Sequence, residues 1–150
     1  MSDRPDNDRP TLREVRASDI ESFYLQQADP ESAAMAAFTS RDRATSFARW
    51  SEIMANPEIT ARAIVVGDKV AGHVVSWEDA GHRELGYWVG REFWGRGVGT
   101  AAVGQFLELV TERPLEAWVA PTNIGSMRVL EKNGFAFDRD EEGYRVFRLG

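Results

Sequence analysis

The segment Trp94-Gly95-Arg96-Gly97-Val98-Gly99-Thr100 puts glycine at every second position between two stretches of different period. Before it, residues 83–90 alternate as a strand does, with Leu85, Tyr87 and Val89 on one face and Glu84, Gly86 and Trp88 on the other. After it, from about Thr100 to Thr111, Val103, Phe106, Leu107 and Val110 recur at i, i+3, i+4 and i+7, the inward stripe of a helix. The fold must therefore contain a strand that feeds a helix through a glycine loop. Glycines let a backbone approach a ligand closely, and a helix start presents unpaired N–H groups with a partial positive charge. Such a place suits a phosphate or pyrophosphate.

Two familiar phosphate loops fit poorly. The P-loop needs a lysine, and none stands in this segment. The run Gly97-Val98-Gly99-Thr100-Ala101-Ala102 formally satisfies the dinucleotide pattern G-x-G-x-x-A. That fold, however, expects the loop after its first strand, an acidic residue closing the next strand, and further βα units. Here hairpins precede the loop, about 50 residues follow it, and Glu116 lies inside the next expected strand.

The remaining periodicities give the order β, α, α, β, β, β, α, β, α, β, β. Residues 11–15 read as a strand, and Ser18 with Glu21 forms a capping-box signal for a helix toward Gln27. A helical region over 31–55, interrupted near 39–42, directs Phe47, Trp50, Ile53 and Met54 to the core. Residues 61–66 and 69–77 form a hairpin around Gly67-Asp68. Residues 115–119 are a strand, 121–133 hold a short helix, and 135–149 form two strands around 140–143. This is an α/β (α+β) chain.

Composition narrows the chemistry. The 150 residues contain no cysteine and two histidines, His73 and His82, so disulfides, thiol nucleophiles and a three-histidine zinc site are excluded. No metal ligand set is expected. No apolar run reaches the ~18 residues of a membrane span, and residues 1–10 are expected to be a disordered leader before one domain at 11–150. A cytoplasmic protein without membrane or nucleic-acid partners is the expectation, since the net charge of −6 disfavours nucleic acid. The same charge is a weak hint toward a cationic substrate.

The segments Glu84-Leu85-Gly86-Tyr87-Trp88-Val89, Trp94 to Thr100, and Asn123-Ile124-Gly125-Ser126 through Glu131-Lys132-Asn133-Gly134-Phe135 together resemble the GCN5-related N-acetyltransferase (GNAT) superfamily. More narrowly they look like its RimJ/RimL-like branch. The resemblance implies a mixed, mostly antiparallel central sheet with helices on both faces. It implies acetyl-CoA as cofactor, with Gly95, Arg96, Gly97, Val98, Gly99 and Thr100 cradling the pyrophosphate and Arg91 or Arg96 neutralising charge. Trp94 occupies the first slot of the family's Q/R-x-x-G-x-G/A motif, a departure also similar to the RimJ/RimL pattern. Tyr87, Trp88 and Val89 are implied to line the pantetheine arm, with a backbone N–H near Val89 polarising the thioester carbonyl. Asn123 is implied to bond the pantetheine amide, and it also suits a helix N-cap.

Acetyl transfer needs an uncharged amine, whereas alkyl amines have a pKa near ~10.4. Glu84, ten residues before Trp94, stands where relatives carry a catalytic glutamate and is the candidate base, directly or through water. Many relatives supply a tyrosine as acid seven residues after the asparagine; Leu130 stands there. Ser126 is the remaining hydroxyl of that motif, a cofactor ligand first and a proton donor second. Phe23, Met35, Phe38 and Trp77 are candidates for shaping the acceptor pocket or for the core, and Glu78, Asp79 and Glu92 for attracting a cation. The histidines are expected to be packed or exposed rather than catalytic. The expected activity is transfer to a primary amine, on a small molecule or a protein N-terminus, by direct attack in a ternary complex. A catalytically silent acyl-CoA-binding module is the alternative, motivated by Leu130, and a homodimer stays open.

Overall fold

The Gly67-Asp68 turn, with Gly67 at φ +63°, folds β2 (Thr60–Val66) back on β3 (Lys69–Asp79), and β3 pairs in turn with β4 (His82–Val89). The computed structural model describes residues 9–150. Around this meander lie β1 (Thr11–Glu14), α1 (Ile20–Ala28), α2 (Pro30–Met35) and α3 (Arg43–Ala55) before it. After it come α4 (Val98–Leu109), β5 (Leu115–Val119), α5 (Ile124–Lys132), β6 (Ala136–Glu141) and β7 (Tyr144–Leu149). The strands form one sheet in the order β1-β2-β3-β4-β5-β7-β6. Its pairings are antiparallel except β4 with β5, as the alternating, hairpin-rich sequence implies.

Helices cover both faces because successive strand residues point to opposite sides. On one face α4 and α5 bury Val103, Phe106 and Leu130 against Leu85, Leu115 and Phe147. On the other, Ile20, Phe23 and Trp50 pack on Ala63. Phe106 is completely buried, and truncating such a residue to alanine costs about 3–5 kcal/mol. Of the expected α3 stripe, Trp50 is buried and Phe47 and Ile53 pack on the second cluster, whereas Met54 is exposed.

Two local expectations are corrected. The first helix is not entered through Ser18 and Glu21: a 3-10 turn at Ala17–Asp19 leads in, and the buried Asp19 carboxylate accepts from the Arg16 backbone N–H at 2.7 Å. Arg13 grips the same carboxylate at 2.7 and 2.9 Å, tying β1 to α1. Burial pushes the Asp19 carboxyl up, but the Arg13 and Arg16 bonds outweigh it and hold it below its ordinary value. The second correction is that α4 starts at Val98, two residues early, because Gly97 adopts φ +75° directly before it. Of the expected leader, residues 1–8 lie outside the described residues; Pro10 is buried, and its carbonyl accepts from Gln105 at 2.8 Å.

Candidate active site

β4 and β5 hold together only at their starts, where Arg83 pairs with Leu115 and Glu84 with Glu116. Beyond Glu84 the two strands part, while β4 runs on to Val89 against β3. Residues 85–89 therefore expose backbone groups that no β5 residue meets, an edge able to pair with an extended ligand. The closed end of this fork carries two carboxylates. Arg139 donates to Glu116 at 3.1 and 3.2 Å and holds its carboxyl below the ordinary value. Among the described residues no arginine or lysine pairs with Glu84; burial first, then Asp79 and Glu116, push its carboxyl up, and His82 opposes them only in part.

At the open end the glycine loop turns the chain from β4 into α4. Phe93 plugs into the core, and the Trp94 indole donates to the Val89 carbonyl at 2.9 Å, fastening the loop to the strand. Gly95 and Gly97 take φ +76° and +75°, the left-handed region that a side chain resists. Among the described residues no side chain caps α4, and its first internal bond is Ala101 N–H to the Gly97 carbonyl. The N–H groups before Ala101 are thus left for an outside acceptor. At the Gly95 and Gly97 positions an added Cβ would meet no atom within 4 Å, so the backbone lies open. This donor set fits a pyrophosphate.

The loop and the fork bound a cavity of about 470 Å³. Tyr87, Trp88 and Val89 line it from β4; Trp94, Gly95, Gly97, Val98, Gly99 and Thr100 from the loop and α4; Asn123 and Ser126 from α5. Arg91 and Arg96, expected to neutralise charge, are not among the lining residues: Arg91 is ion-paired with Asp29 and Glu31 at 2.9 and 3.4 Å, and Arg96 sits over the ring of Phe93, which does line the cavity, at 5.6 Å. Asn123 caps α5, its side-chain oxygen accepting from Ser126 N–H at 3.2 Å. The Ser126 hydroxyl meets the Tyr87 hydroxyl at 2.7 Å. Burial pushes the Tyr87 phenol up to about 12, although the Ser126 bond opposes this, so it stays protonated at neutral pH.

On the other face of the sheet a second cavity, also about 470 Å³, is lined by Trp50, His73, Trp77 and Gly86 and shares Tyr87 and Trp88 with the first. A smaller space of about 180 Å³ inside the fork includes Tyr87, Trp88, Ser126 and the buried Leu130. Phe38 and Trp77 line the second cavity, as does Glu78. Met35 lines the first, and Phe23 is core, stacked 4.6 Å from Trp50. Glu92 faces Lys69 at 3.9 Å, and Asp79 stands near enough to Glu84 to help push its carboxyl up. Glu84 itself is on the second cavity's face of β4, two residues from Gly86, but does not line the three cavities described.

A model of the acetyltransferase (GNAT) domain matches residues 9–136. The chain belongs to this family. Among curated proteins no sequence matches it significantly. Solved structures share its fold. An acetyltransferase from Agrobacterium tumefaciens is 21% identical, covering 94% of this chain and 90% of that one, with TM-score 0.79. Aminoglycoside acetyltransferase AAC(6')-Ib, in complex with coenzyme A, is 18% identical over 93% and 92%, with TM-score 0.76. Mycobacterium smegmatis RimJ, in complex with CoA-disulfide, is 20% identical over 93% and 81%, with TM-score 0.72.

This GNAT chain brings to the first cavity two residues that the motif left out. Arg128 and Lys132 line it one turn apart on α5. Their i, i+4 spacing was the available signal, since it stacks two cations on one helix face. Among the described residues no helix is long and apolar enough to cross a membrane, and no cluster of three or more His, Asp or Glu could hold a metal.

Proposed function

We propose that this GNAT domain is an acetyl-CoA-dependent N-acetyltransferase of the RimJ/RimL-like branch, acting on a primary amine by direct attack in a ternary complex. The observation that carries this is the meeting of two cavities at Tyr87 and Trp88, one running along the open β4 edge to the glycine loop, the other opening on the opposite face. Two ligands entering from opposite faces would touch there. When bound, acetyl-CoA supplies the acetyl group as a thioester.

The chain's own groups divide the remaining work. N–H groups at the start of α4 bind the pyrophosphate, with Arg128 and Lys132 adding charge from α5. The open edge at residues 85–89 orients the pantetheine arm as an added strand, and the N–H near Val89 is the oxyanion donor. Asn123 has its oxygen engaged as a cap, which leaves its NH2 for the pantetheine amide. Glu84, whose raised carboxyl suits a base, takes the amine proton through water. Ser126 Oγ and the neutral Tyr87 hydroxyl hold a transferable proton inside the fork, where Leu130 offers none. With no cysteine in the chain, no acetyl-cysteine can intervene. Release of free thiol from acetyl-CoA, dependent on an added amine, tests this assignment.

A further inference from the structure

The two strands of the fork meet at Glu84 and Glu116, which are in register across the parallel pair. Paired strands lie ~4.8 Å apart and register neighbours point to the same face, so the two carboxyls share one small volume. That face is the one away from the main core, because Leu85, Leu115 and Ala117 beside them turn into it. Two carboxylates this close do not ionise independently: one keeps its charge and the other takes a proton more readily.

Which member keeps the charge is decided two strands away. Arg139, on the edge strand β6, reaches across β7 and donates to both Glu116 oxygens at 3.1 and 3.2 Å. Two further acids of β6 aim its guanidinium, Glu141 at 2.6 Å and Asp138 at 2.7 Å, and its Cζ lies 5.9 Å from the centre of the Trp118 ring. An arginine stays charged at every pH of interest and grips both oxygens of a carboxylate at once. Glu116 is 6% exposed, yet the Arg139 bonds hold its carboxyl below the ordinary value against that burial. The charged or titratable groups around Glu84 are Asp79 from β3, His82 from β4 itself and Glu116 from β5. Those around Glu116 are Arg139, His82 and Arg148, its register partner on β7, which is exposed and makes no ion pair among the described residues.

We propose that Arg139 is a positioning residue for the base: by fixing the charge on Glu116, it leaves Glu84 as the member of the pair that receives the proton. The proposal rests on the reading of Glu84 as the base of an acetyltransferase. Without Arg139, the more deeply buried Glu116 becomes the first to protonate on acidification, and Glu84 then titrates beside a neutral neighbour.

NMR titration of the glutamate side-chain carboxyl carbons in the intact protein reads this order, with Glu84 assigned from Glu84→Gln and Glu116 from Glu116→Gln. In the unaltered protein Glu116 should titrate below Glu84. In Arg139→Gln the order should reverse, the Glu84 midpoint falling by about half a pH unit or more. Arg139→Lys, which keeps the charge but not the two-pronged grip, should narrow the gap between the two midpoints. The acid limb of kcat/KM should move with the Glu84 midpoint, whereas lost packing alone would lower the rate and leave the limb in place. Glu116 titrating above Glu84 in the unaltered protein, or a Glu84 midpoint unchanged or raised in Arg139→Gln, overturns the proposal; should Arg139→Gln not fold, an unchanged gap in Arg139→Lys does so. Midpoints that behave as stated while Glu84→Gln leaves the kcat/KM profile unaltered contradict the base reading alone. A limb that Glu84→Gln removes but Arg139→Gln does not move contradicts the role of Arg139 alone.

Discussion

The Tyr87 hydroxyl stands 2.7 Å from Ser126 Oγ, joining the open edge of β4 to the first turn of α5 inside the fork. A phenol thus reaches the space beside Leu130 from a different element of the fold. If the pair delivers a proton, Tyr87→Phe lowers kcat about ten- to a hundred-fold while the Kd for CoA stays within about two-fold. The loss is at or below the usual range for acid catalysis because a thiol of pKa ~8.5 departs readily. Ser126→Ala should cost a similar factor, and the double variant little more than the larger single loss, since the two act as a unit. Steady-state kinetics on the three variants check this; additive losses would separate the two residues.

Glu84 gives the pH dependence its sign. Its carboxyl titrates above the ordinary glutamate value, so activity falls as pH drops through that raised pKa and the base becomes protonated. Glu84→Gln should remove this limb and depress turnover most above that raised pKa and below the amine's own, where Glu84 is ionised and the amine still needs its proton taken. A pH profile of kcat/KM for both proteins tests it, and superimposable profiles would exclude Glu84 as the base.

Gly97 holds φ +75° at the entry to α4, and its neighbourhood is empty. A side chain there is strained by about 1–2 kcal/mol rather than by collision. In Gly97→Val, the unliganded Tm should fall by about 2–8 °C. CoA affinity should fall as well, because the new side chain enters the space before the free N–H groups. Calorimetry and thermal melts read the two effects separately.

His73 couples stability to acid. Its folded pKa is depressed to about 3 against an ordinary value of 6.5, so below pH 6.5 the unfolded chain binds a proton that the folded one does not. Stability should therefore decline as pH falls from about 6.5 toward 3, with a limiting slope on the order of 1.4 kcal/mol per pH unit. His73→Leu should flatten that decline, measured as denaturant midpoints at pH 7 and pH 5.

Much of this was legible in the residues. The alternation of residues 83–90 and the glycines after Trp94 placed the strand, loop and helix, because turn chemistry and periodicity are local properties. The role of Trp94 was not legible, since its bond to the Val89 carbonyl depends on how the loop folds back. The ion pairs of Arg91 with Asp29 and Glu31, 62 and 60 residues earlier, were not legible either, being long-range contacts that composition does not announce. The Tyr87 to Ser126 bond spans 39 residues and exists only because the parting strands bring α5 beside β4. Ser18 with Glu21 matched a capping pattern, but the neighbouring Asp19 makes stronger, charge-assisted bonds to Arg13 and Arg16.

Acetyl transfer is read by thiol release from acetyl-CoA across a panel of aromatic amines, polyamines, aminoglycosides and peptide N-termini, with the products weighed by mass spectrometry. Free thiol should appear only when a suitable amine is present, in equal amount to an N-acetylated product. Tight binding of acetyl-CoA with no acetylated product from any amine would contradict it and leave a binding module.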